Sequence, residues 1–121
     1  MQSTYDNIKY YNFGQKEKAR IIVKLKAFLA HEERIELAIM FGSVIRRSFG
    51  RDVDIAIQSS PSLSFKELLN MNAQMELELG IPIDLVELSS VPVSFKENIL
   101  KYGTLIKGKK KTNSQKSLYQ S

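Results

Sequence analysis

The chain has 121 residues and no cysteine, with 18 Lys and Arg against 13 Asp and Glu, for a formal net charge of +5. That length suits one domain, and the lack of thiols excludes disulfides and thiolate metal sites. No run approaches the roughly 20 apolar residues of a membrane span, and the polar, aromatic start "MQSTYDNIKYYNFGQ" does not read as a signal peptide, so a cytoplasmic location without membrane contact is expected.

Residues 1–14 carry Tyr5, Tyr10 and Tyr11 outside any periodic pattern. This extension folds over the core, binds a partner or is disordered, and the sequence leaves the three open. From Gln15 to His31, apolar residues at 21, 22, 25, 28 and 29 predict a helix with a Lys- and Arg-rich outer face. His31 at its end reads as a surface residue favoured by the helix dipole. "IELAIMFGS" is then a short apolar run ending at Gly, a buried strand, and "DVDIAI" is a second strand closed by the turn "SSPS".

Ser64 and Glu67 have the spacing of a capping box, opening a helix that Gly80 and Pro82 stop. Met71 and Met75, one turn apart, are expected to pack on the sheet. "IPIDLVEL" is a third strand. The same Ser-Phe-Lys-Glu tetrapeptide recurs at 94–97 and predicts a second box, opening a helix that Gly103 ends. "TLIKG" follows as a short final strand. Residues 107–121 then hold five Lys and no acid, so the other 106 residues sum to zero charge. The basic character belongs to a tail, read as a solvated, disordered end over 109–121 in preference to a contact for RNA or acidic partners.

The first two strands are joined too briefly for a crossover helix and should be antiparallel neighbours. A helix between the second and third permits a parallel pair by a right-handed crossover. The fold class is therefore α/β (α+β), a small mixed sheet of about four strands with helices packed on it, over residues 15–108.

Alternation sends Asp52 and Asp54 to one face of their strand, with Val53, Ile55 and Ile57 on the other. Asp84, in a strand that can lie adjacent, is a third acid. Carboxylates converging on one face raise one another's pKa unless a cation offsets them, and magnesium prefers such oxygens together with substrate phosphates. Gly42 lets backbone approach a ligand, the Ser43 hydroxyl and nearby amides can hold phosphate oxygens, and Arg46, Arg47 and Arg51 can neutralise phosphate charge. Each feature alone is weak, because acids at strand ends are often only solvated and Gly-Ser marks many ordinary turns. Their order along the chain is what singles them out.

That order resembles the minimal nucleotidyltransferase (MNT) domains of the DNA-polymerase-β-like superfamily. Their pattern is a hydrophobic residue, Gly-Ser, a variable loop, Asp-x-Asp, then a third Asp on a later strand. Phe41-Gly42-Ser43, Asp52-Val53-Asp54 and Asp84 fill those places, and "VELSSVPVSFKENILKYGTLIKG" resembles the closing segment. Arg46 matches the loop Arg of many members, while Arg47 stands where they have Gly. The resemblance implies the nucleotidyltransferase fold and transfer of a nucleoside monophosphate from an NTP, ATP foremost. Asp52, Asp54 and Asp84 would be catalytic and would ligate two Mg2+ ions, and Gly42, Ser43 and Arg46 would bind the nucleotide. Stand-alone MNT proteins are often paired with a small helical HEPN protein. The implied acceptor is a Tyr of such a HEPN ribonuclease toxin, with this chain as the adenylylating antitoxin. Whether it assembles as a homo- or hetero-oligomer is open.

Two other functions compete. A binding module of the same fold would neutralise its partner by contact with an idle site, but it has no use for three converging like charges. A nucleic-acid binder acting through the Lys tail ranks last, because the body of the chain is neutral and lacks a basic face.

Overall fold

The structure, a computed structural model, describes residues 11–12, 14–42, 49–50 and 52–109. In chain order these form β1 (Tyr11–Asn12), α1 (Gln15–Ala30), β2 (Ile35–Phe41), β3 (Phe49–Gly50), β4 (Val53–Ser59), α2 (Phe65–Leu79), β5 (Ile83–Glu87), a single 3-10 turn (Leu88–Ser90), α3 (Val93–Tyr102) and β6 (Thr104–Lys107). Four strands make one mixed sheet in the order β5-β4-β2-β6. β2 pairs antiparallel with β4 and with β6, while β4 and β5 run parallel. Both pairings expected from the connection lengths are present. β1 and β3 form a separate two-residue antiparallel ladder, so the end of the N-terminal extension pairs with residues 49–50.

The two central strands explain their own position. Leu37 to Met40 on β2 and Ile55 to Ile57 on β4 are continuously buried, the pattern of strands covered on both faces. On one face Ile35, Met40, Val53, Ile55, Ile57, Ile83 and Leu85 pack against Ile21, Leu25 and Leu29 of α1 and Met71, Met75 and Leu79 of α2. On the other face Leu37, Ile39 and Ala56 pack against Leu88 of the 3-10 turn and Ile99 of α3. Met71 and Met75 are core residues, as their spacing predicts.

The ends of the elements are set by local chemistry. Ser64 caps α2 by accepting from the Glu67 amide at 3.1 Å, while the Ser64 amide donates to the Glu67 carboxylate at 2.8 Å. Arg34 also bonds Glu67, at 2.8 Å, and the Arg34 hydrogen bond and then the Ser64 amide pull the Glu67 carboxyl down to about 2. Gly80 ends α2 in the left-handed region at φ 75°, which glycine enters without steric cost. Lys107 of β6 reaches back to the carbonyls of Leu29 and Glu32 at 2.8 and 2.9 Å, satisfying acceptors at the α1 C-terminus.

One expected cap is absent. Ser94 opens no capping box: α3 starts at Val93, its N-cap is Pro92, and no side chain caps it. The Pro92 carbonyl already accepts the first helical bond, from the Lys96 amide at 2.8 Å. Ser94 therefore lies inside the first turn, where the backbone is helical rather than extended as a cap requires.

Candidate active site

The acids are brought together by sheet register. On β4, Val53, Ile55 and Ile57 face α1 and α2, so Asp54 and Ala56 face the α3 side. On β5, Ile83 and Leu85 take the first face and Asp84 the second. The parallel pairing sets Asp54 directly beside Asp84. Asp52, two residues before Asp54, joins them: one carboxylate oxygen from each of the three lies within 4.8 Å of the others. Asp52 and Asp54 are partly buried and Asp84 is exposed, so the group opens to solvent on the Asp84 side.

Among the described residues no basic side chain pairs with the cluster. Neither ion pair found among the described residues, Arg20–Glu17 and Arg34–Glu67, involves these acids. Burial first, then the charges of Asp52 and Asp84 and a hydrogen bond shared with Asp84, push the Asp54 carboxyl up to about 7. An all-oxygen donor set under mutual repulsion suits a hard divalent cation.

Gly42 follows the last residue of β2 and has φ +80°, a conformation that side chains rarely adopt. A Cβ there would run into the Asp54 carboxylate. The glycine thus lets backbone lie against the acid itself, beyond the expected role of approaching a ligand. Ser43 and Arg46, and with them Arg47 and Arg51, lie outside the described residues.

A cleft of about 540 Å³ runs from Gly42 and Asp54 to the exposed flank of α3. Phe95, Asn98 and Tyr102 form that wall, and Phe95 meets Phe41 edge to face with ring centres 5.7 Å apart. None of these α3 residues was singled out from the sequence. Their spacing, i, i+3 and i+7, places them on one helix face and was the available signal. Also unanticipated are two α2 side chains that hold the strand bearing Asp84. The Asn72 amide donates to the Ile83 carbonyl and accepts from the Leu85 amide, both at 2.9 Å, while Glu76 accepts from the Ile83 amide at 2.9 Å.

Comparison with known proteins gives the same frame. Solved structures of similar fold include a toxin–antitoxin complex with AMP-PNP, at TM-score 0.64 and 22% identity over 81% of this chain and 79% of that one. Another is a toxin–antitoxin MntA-HpeT variant with two Asp-to-Glu substitutions, at TM-score 0.65 and 19% identity over 81% and 79%. A third is a tri-AMPylated Shewanella oneidensis HEPN toxin in complex with its MNT antitoxin, at TM-score 0.57 and 22% identity over 88% and 86%. No curated protein matches the sequence. Residues 23–112 match the family described as "Polymerase beta, Nucleotidyltransferase". Since that span takes in every strand that carries or flanks the acids, the chain belongs to the polymerase beta nucleotidyltransferase family.

Proposed function

We propose that this chain transfers AMP from ATP, with magnesium, to a protein hydroxyl, and that the acceptor is a Tyr of a HEPN toxin silenced by the modification. The observation that carries this reading is the convergence of Asp52, Asp54 and Asp84, with Asp54 lining an open cleft and no basic partner for the three among the described residues. Solved neighbours of the same fold are an MNT antitoxin with a tri-AMPylated HEPN toxin and a toxin–antitoxin pair with AMP-PNP, which supports the choice of nucleotide and partner.

Magnesium held by the three carboxylates would neutralise triphosphate charge and polarise the α-phosphorus. The residues supply position. Gly42 keeps backbone against Asp54, fixing the floor of the site, and Ser43 and Arg46 hold the triphosphate oxygens. Asp84, the exposed acid, faces the incoming acceptor. The Tyr oxygen forms a new bond to the α-phosphorus and the bond to the bridging oxygen breaks. Pyrophosphate leaves with that electron pair, and the phenolic proton passes to Asp84. Chemistry of this kind rests on positioning and charge stabilisation, which a short domain can provide. On this reading the working unit is a cytoplasmic hetero-oligomer with the toxin.

The test is intact-mass spectrometry of a candidate HEPN toxin, after incubation with this chain, magnesium and ATP. We expect a mass gain of one or more adenylates, lost in the Asp52→Asn, Asp54→Asn double variant. An unmodified toxin that still co-purifies and is still silenced would make this a binding antitoxin instead.

A further inference from the structure

Resting on the nucleotide transfer proposed above, we infer that the α3 wall of the cleft is the nucleobase site, with Phe95 and Tyr102 as stacking surfaces and Asn98 reading adenine.

The packing of α3 leaves much of these side chains uncovered. Ile99 is the residue that α3 buries in the core, whereas Phe95 is 44% and Tyr102 61% exposed. Two partly exposed aromatic rings on one flank of a ten-residue helix leave apolar area that the core does not cover. Both line the cleft that begins at Asp54 and Gly42. The near-perpendicular contact with Phe41, at 81°, sets the Phe95 ring before any ligand arrives. Lys101 lies 5.3 Å from the Tyr102 ring centre, so a base would stack on the other face of that ring.

Asn98 lies between the two rings on the same flank, exposed and lining the cleft. Its amide makes none of the hydrogen bonds found among the described residues. An amide presents a donor and an acceptor side by side, matching the N7 acceptor and N6 donor of adenine, whereas guanine offers two acceptors at the same edge. Aromatic stacking holds any base, and the amide selects among them. A nucleotide would lie along the cleft with its phosphates at the acids and its base on α3.

Equilibrium binding of ATP, GTP and inorganic tripolyphosphate, each with magnesium, to the full chain tests this. The wild type should bind ATP at least about tenfold more tightly than tripolyphosphate, the contribution of one stacked base. Tyr102→Ala and Phe95→Leu should weaken ATP severalfold and leave tripolyphosphate unchanged, and Tyr102→Phe should restore ATP binding. Asn98→Ala should erase an ATP-over-GTP preference of about tenfold. If ATP affinity is unchanged in all of these while Asp54→Asn abolishes it, the base lies elsewhere and the inference fails. If ATP affinity is unchanged but transfer to the toxin falls, the wall belongs to the protein acceptor, which also overturns it. A wild-type chain that binds neither ATP nor tripolyphosphate would sink nucleotide transfer itself.

Discussion

At the scale of single residues, Asp54 carries the largest consequence. Its carboxyl, ordinarily near 3.8, titrates at about 7 in the folded chain. Between those values the folded state holds a proton that the unfolded state has released, so folding takes one up and stability falls as pH rises through that window. Denaturant melts in EDTA should therefore show a midpoint that declines from pH 4 to pH 7 and then levels. Asp54→Asn, which removes the charge at nearly constant shape, should flatten the decline and be the more stable protein at pH 8. With magnesium present the ionised form has a partner, and the wild type should regain the difference. Gly42 gives a second prediction. Gly42→Ala places a methyl group against the Asp54 carboxylate on a backbone at φ +80°. It should cost about 1 kcal/mol or more in unfolding experiments and disturb Asp54, so transfer activity should fall further than stability accounts for. The three acids and Gly42 were legible in the sequence because Asp52, Asp54 and Gly42 sit close in the chain and strand alternation fixes where they point. Phe95, Asn98 and Tyr102 were not, since the spacing of one exposed helix flank is the same as that of a buried one. Only the packing of Ile99 shows which flank faces the core.

At the scale of elements, the twice-used Ser-Phe-Lys-Glu segment is instructive. At Ser64 the serine's own backbone is extended and its side chain caps α2. At Ser94 the helix has already begun, because Pro92, at φ −58° and ψ 151°, takes the cap position two residues earlier. A tetrapeptide carries the capping chemistry but not the direction in which the chain enters it. The fastening of β5 to α2 was likewise hidden, since nothing local marks Asn72 as a residue that bonds a strand. Asn72→Ala should lower stability by about 1–3 kcal/mol, because the Leu85 amide and Ile83 carbonyl lose their partner. Those two groups flank Asp84, so the variant should also need more magnesium for half-maximal activity. A loss of stability with an unchanged magnesium requirement would show that Asn72 serves the fold alone.

At the scale of the whole molecule, the antiparallel β2–β4 and parallel β4–β5 pairings were legible in connection lengths and apolar runs. The place of β6 beside β2 was not, since nothing local says which edge a last short strand joins. The site is a product of the β4–β5 pairing, since Asp54 and Asp84 meet only when β5 lies in register beside β4. The sheet has two outer strands, β5 and β6. An outer strand normally leaves a row of amides and carbonyls able to pair with another chain. Along β5 the amides of Ile83 and Leu85 and the carbonyl of Ile83 are already taken by Glu76 and Asn72. A further strand adds there only by first breaking the Asn72 and Glu76 hydrogen bonds, which disfavours copies of this protein zipping together along that edge. The exposed acid thus sits beside an edge that its own domain has already occupied, open to solvent and poorly suited to polymerisation.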